Sequence, residues 1–153
     1  MTTINEPLHF LEEPVLKDGV SEQYFEIINN DRKIPGILWL PENTTTQVPL
    51  VLLGHGGSGH KKNARMLQLG TRFARDRSFA AAAIDGPIHG DRGSLSDTHD
   101  PNYQAMWKND NTVPSMVSDW KITLDALLNI ERFDEKRIGY WGMSMGTMFG
   151  IPF

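Results

Sequence analysis

Residues Gly142-Met143-Ser144-Met145-Gly146 follow directly on the run Arg137-Ile138-Gly139-Tyr140-Trp141. A glycine two positions before a serine and another two positions after it let a strand and the next helix pass close together with no Cβ between them. The spacing therefore predicts a tight strand-to-helix turn with the serine at its apex. The flanks agree: the preceding run has strand length, and Met145-Gly146-Thr147-Met148-Phe149 can open a helix. Ser144 is the candidate nucleophile. The competing reading is a glycine-rich turn that carries a bystander serine.

The rest of the chain alternates between strand and helix signals. Residues 1–20 hold Pro7, Pro14 and Gly19 without sustained periodicity and read as an irregular lead-in, so the domain proper spans residues 21–153. Residues 22–28 alternate around Tyr24, Phe25 and Ile27, Asn29-Asn30-Asp31 supplies turn chemistry, and residues 34–40 continue to Pro41, which together predict an antiparallel hairpin. Pro49-Leu50-Val51-Leu52-Leu53 is a continuous apolar run, as in a strand covered on both faces. Residues 62–77 place Met66, Leu69 and Phe73 at helical spacing. The alanine-rich residues 79–84 are helix formers by propensity, but their shortness and the Asp85-Gly86-Pro87 terminator favour a buried strand. Residues 85–111 form a polar stretch too long for a plain connection and so functional or partly helical; after it Val113, Val117, Trp120, Leu124, Leu127 and Leu128 form one helical stripe that ends near Phe133-Asp134, with Pro114 tolerated in the first turn. Residues 138–142 are the last strand. The expectation is an α/β fold: a mostly parallel sheet with helices on both faces and a hairpin at its N-terminal end.

Composition narrows the partners. The chain has 153 residues, 39% of them apolar, enough for one core. Its net charge is -4, with 15 basic residues interleaved among 19 acidic ones, which argues against a nucleic-acid or anionic-membrane partner. Arg72, Arg75 and Arg77 read as one solvated helix face, and His9, His60 and His99 as exposed polar residues. With no cysteine there is no disulfide framework, thiolate nucleophile or zinc-cysteine site. No basic segment followed by an apolar one opens the chain and no apolar run could span a bilayer, so the expectation is a cytoplasmic protein without cofactor or metal.

A second glycine cluster, Gly54-His55-Gly56-Gly57-Ser58-Gly59-His60, follows the apolar strand. Its unshielded backbone N–H groups suit an anion or a developing oxyanion. It also fits G-x-G-x-x-G at Gly54, Gly56 and Gly59, with Asp85 where a dinucleotide site carries its ribose acid, so a nucleotide-binding module is the rival reading. A phosphate-binding P-loop fits less well, because Gly59 is followed by His60-Lys61-Lys62.

The strand into Gly54-His55-Gly56-Gly57, the turn Asp85-Gly86-Pro87-Ile88-His89-Gly90 and the Gly142 to Gly146 turn, in that order, resemble the α/β-hydrolase family, nearest its dienelactone hydrolase, acetyl esterase and prolyl-oligopeptidase-like branches. The resemblance covers residues 22–153. It implies a serine hydrolase acting on a small ester, thioester or amide through an acyl-enzyme on Ser144, with the oxyanion held by the N–H groups of Met145 and Gly57. It gives His55 a loop-organising rather than a catalytic role. Met143, Met145 and Trp107 are candidates for a pocket wall, with ordinary core packing as the alternative.

In that family the acid and the histidine of the triad follow the serine, yet residues 147–153 contain neither. The expectation is that both lie beyond Phe153, that this chain alone is nearly inactive, and that the sheet edge left after its last strand invites self-association. Two alternatives stay open: a base drawn from upstream, Asp85 or His89, and a scaffold that keeps the fold without the chemistry.

Overall fold

The computed structural model describes residues 8–153. Seven strands form one sheet: β1 (Leu8–Phe10), β2 (Val15–Lys17), β3 (Val20–Asn29), β4 (Arg32–Pro41), β5 (Val48–Gly54), β6 (Ala80–Ile84) and β7 (Phe133–Gly142). The helices are α1 (Ala64–Arg77), α2 (Pro101–Lys108), α3 (Thr112–Leu128) and α4 (Met145–Gly150). None of them is long and apolar enough to cross a membrane.

The predicted hairpin is β3 and β4, in register from Val20↔Pro41 to Asn29↔Arg32. Its two-residue loop puts Asn30 at φ 54, a left-handed conformation that asparagine tolerates better than most residues. The lead-in is not irregular in its described part: β1 and β2 both pair antiparallel with β3, through Leu8↔Ile27 and Val15↔Glu22. Strands of three residues, largely exposed, leave no periodicity to read. The part of the lead-in before Leu8 falls outside the described residues. The third helix ends at Leu128 rather than near Phe133, which instead begins β7.

The sheet runs β1-β3-β4-β6-β5-β7, with β2 also beside β3. It is mixed, since β1 to β4 pair antiparallel, β4 pairs antiparallel with β6, and only β6, β5 and β7 run parallel. Period-2 alternation divides its side chains between two cores. Leu38, Leu50, Leu52, Ala80, Ala82 and Ile84 face α3 with Trp120 and Leu127. Ile37, Trp39, Leu53, Ala81 and Ala83 face α1 with Met66 and Ala74. Residues 80–84 are fully buried on both faces, which is why tertiary packing overrides the helical preference of alanine there. Gly70 of α1 lies flat on the Trp39 indole, where a Cβ would come within 2.2 Å of the ring.

The connectivity locates the site. From β5 the chain crosses through α1 to β6 on one side, then returns through α2 and α3 to β7 on the other. The direction of winding thus reverses at β5, and a crevice opens outside the carboxyl ends of strands at such a point. The Gly54 loop leaves β5 there, beside the Ser144 turn that leaves β7.

Candidate active site

Ser144 sits between β7 and α4 at φ 50 and ψ -113, a backbone conformation that costs a non-glycine residue about 1–3 kcal/mol. The surroundings hold it there. Met143 N–H donates to the Gly54 carbonyl at 3.2 Å, Gly146 N–H to the Met143 carbonyl at 2.9 Å, and Met148 N–H to the Ser144 carbonyl at 3.1 Å. The Tyr140 hydroxyl donates to the Gly146 carbonyl at 2.7 Å, and burial pushes its pKa well above the usual tyrosine value. The flanking glycines are steric necessities: a Cβ on Gly146 would lie 2.3 Å from the Gly54 carbonyl oxygen, and one on Gly142 would lie 2.8 Å from the Gly146 carbonyl carbon. Ser144 itself is exposed.

The Gly54 loop is fixed by His55. The Gly86 N–H donates to His55 Nε2 at 2.8 Å, so Nε2 is unprotonated and Nδ1 carries the hydrogen, which it gives to the Gly56 carbonyl at 2.8 Å. Burial pushes the His55 pKa down to about 4, against the opposing pull of the Gly56 hydrogen bond, and keeps the ring neutral. Gly59 N–H donates to the same Gly56 carbonyl at 2.9 Å. The peptide plane that carries the Gly57 N–H is thereby held at its other end by two donors. Among the described residues neither the Gly57 N–H nor the Met145 N–H donates to a backbone carbonyl outside the regular elements.

Behind the loop lies a buried ionic cluster. Lys61 Nζ, 2% exposed, contacts Asp85 Oδ2 at 2.7 Å and Asp91 Oδ2 at 2.6 Å. Asp85 also accepts from the Lys61 N–H at 2.8 Å and the Asp91 N–H at 2.9 Å. Asp91 ionises below the usual carboxylate range, chiefly through its hydrogen bond with Lys61. This cluster answers two sequence expectations. Asp85 is wholly buried and its oxygens are spent on the loop, which leaves it neither a base for Ser144 nor a ligand for a ribose. The rival motif also lacks its helix, because α1 starts at Ala64 under an Asn63 cap rather than at the last glycine. His89 is likewise committed: its ring spans the Gly57 and Pro87 carbonyls, at 2.7 Å from each. The structure brings Ser144, Met145 and Gly57 to one rim and gives Ser144 no histidine or carboxylate hydrogen-bond partner among the described residues.

Of the other expected residues, Met145 is 1% exposed and belongs to the core, with its Cε toward Gly86. Met143 lies against Gly56, and Trp107 stacks on Phe149 at 5.2 Å. A cavity of about 820 Å³ lies beside Arg32, Arg92 and Asp119, but none of Ser144, Met145 and Gly57 lines it, so size does not mark the site here. Among the described residues no group of three His, Asp or Glu side chains could hold a metal ion. Sequence reasoning missed Lys61, Tyr140 and Tyr103. Lys61 stands in the sequence only as one of two lysines after Gly59-His60, and no local signal announces its burial.

Neither the family models nor the curated proteins compared with this sequence give a match. Solved structures do. A cold-adapted esterase from an Arctic intertidal metagenomic library superposes with a TM-score of 0.79 at 33% identity, over 94% of this chain and 59% of its own. An acetyl xylan esterase from Paenibacillus sp. R4 gives 0.64 at 21% identity, over 92% of this chain and 48% of its own. A dienelactone hydrolase-like promiscuous phosphotriesterase from metagenomic libraries gives 0.66 at 18% identity, over 86% and 54%. The last two speak for the fold alone, and the chain spans about half to three fifths of the length of the structures it matches. The mixed sheet, the serine turn at its switch point and these likenesses agree: the chain has an α/β-hydrolase-type fold and is similar to esterases of that fold.

Proposed function

We propose that this chain carries the nucleophile and the oxyanion-binding half of a serine esterase. The observation that carries the reading is Ser144, exposed in a strained turn between β7 and α4 that its neighbours maintain against a cost. The likeness to esterases supports ester hydrolysis as the class of reaction.

In this reading Ser144 Oγ bonds to the ester carbonyl carbon as its proton passes to a histidine, and the carbonyl π pair moves onto oxygen. The Met145 and Gly57 N–H groups receive that charge, each worth about 10²–10³ in rate. Collapse of the intermediate expels the alcohol, which takes back the proton, and water then releases the acid by the same route. The histidine and its carboxylate partner belong to residues beyond Phe153. Without a base the 153-residue chain retains no more than about 10³–10⁴-fold over water.

The test is hydrolysis of a short p-nitrophenyl ester by the protein isolated from its source cells, with and without Ser144→Ala. The expected result is turnover that the substitution abolishes. Turnover unaffected by it would overturn the assignment.

A further inference from the structure

Tyr103 stands at the mouth of the Gly54 loop, and among the described residues its hydroxyl has no hydrogen-bond partner. Asp100 caps α2 by accepting from the Asn102 N–H at 2.8 Å, and Pro101 occupies the first turn, so Tyr103 enters the helix at its N-terminal end. Its ring is wedged between aromatic partners, edge-on to His89 at 6.4 Å and to Trp107 at 6.1 Å. Trp107 in turn stacks on Phe149 of α4, which ties α2 to the helix that Ser144 opens. The ring is therefore fixed, and its free end points at the loop: a Cβ built on Gly57 would lie 2.6 Å from Tyr103 Oη. Tyr103 is half-buried, and its Oη is absent from the buried polar atoms that lack a partner. It also takes no part in the hydrogen bonds that hold the loop, which run through His55, Gly59 and His89. The hydroxyl is thus open at the mouth of the loop, where a bound ligand can reach it while the ring stays packed.

We propose that Tyr103 is a third donor to the substrate's carbonyl oxygen, beside the N–H groups of Gly57 and Met145. The proposal rests on the esterase reading above and extends it to a residue outside the two loops. A hydroxyl held in place before the reaction meets the growing negative charge without reorganising, and a neutral donor there adds no charge that a neutral ester would first have to displace. The same contact gives Gly57 a second reason to be glycine, since any side chain would displace the hydroxyl.

The test uses the ¹⁵N-labelled 153-residue chain titrated with acetate, a carboxylate that presents two oxygens to such a site, and follows the Gly57 and Met145 amides. Tyr103→Phe removes only the hydroxyl and keeps both ring contacts. The expected result is saturable shifts of both amides in the parent chain and a dissociation constant about tenfold weaker in Tyr103→Phe. Shifts of equal affinity in the two chains would overturn the role of Tyr103 and leave the Ser144 reading standing. Shifts at neither amide in the parent chain would overturn the oxyanion site itself, and Tyr103 with it.

Discussion

His55 Nε2 accepts the Gly86 N–H at 2.8 Å and so ties the loop after β5 to the loop after β6. A protonated ring could not accept this bond. The neutral form of one side chain thus holds together two loops that come from different strands, and the proton that would part them is excluded by burial.

Stability should follow that proton. The unfolded ring titrates near 6.5 and the folded one near 4, so between these values the unfolded chain binds the proton first. The contribution is fully present above about pH 6.5, declines as the pH falls toward 4, and amounts to about 3 kcal/mol. Urea unfolding at pH 7 and at pH 4.5 should show a fall for the parent chain that His55→Gln shows to a clearly smaller extent.

Gly146→Ala should cost more than about 3 kcal/mol, because the added methyl group meets the backbone of β5 rather than a movable side chain. Gly139→Ala, on the neighbouring strand with nothing within 4 Å of the new Cβ, should change stability by less than about 1 kcal/mol. Thermal melts of the two variants side by side give the comparison, and equal losses would refute the steric account.

Lys61→Met leaves Asp85 buried without its cation. The expected loss is about 3–5 kcal/mol, seen as a lower urea midpoint, with the Gly54 loop amides shifted in the native spectrum. A loss below about 1 kcal/mol would mean that the cluster is more hydrated than its burial implies.

Ser144→Gly relieves a positive φ and should raise stability by about 1–2 kcal/mol while removing the proposed nucleophile. Calorimetry of this variant beside Ser144→Ala, which keeps the strain, isolates the backbone contribution. Equal melting temperatures would show that the turn is not strained.

The long elements were legible because their periodicity is set by burial: the stripe from Val113 to Leu128 became α3, and the alternation around Tyr24, Phe25 and Ile27 with its continuation over 34–40 became β3 and β4. The alanine run was read correctly from its terminator against its propensity. β1 and β2 were missed because edge strands of three residues carry no pattern, and the polar stretch over 85–111 concealed α2, whose apolar residues Tyr103, Met106 and Trp107 span little more than one turn. At the site, the glycines around Ser144 and His55 could be read because they mark close backbone approach. The partnerships of Lys61 with Asp85 and of Tyr103 with Gly57 bridge 24 and 46 positions in the chain and exist only after the sheet has formed.

The ladder between β5 and β7 runs up to Gly54↔Gly142, and the Met143 N–H adds a further bond to the Gly54 carbonyl at 3.2 Å. The Gly54 loop and the Ser144 turn therefore leave the sheet from the same rung. A slip of one residue between the two strands would carry the serine away from the loop that faces it, so the register of this parallel pair sets the distance between the two halves of the proposed site.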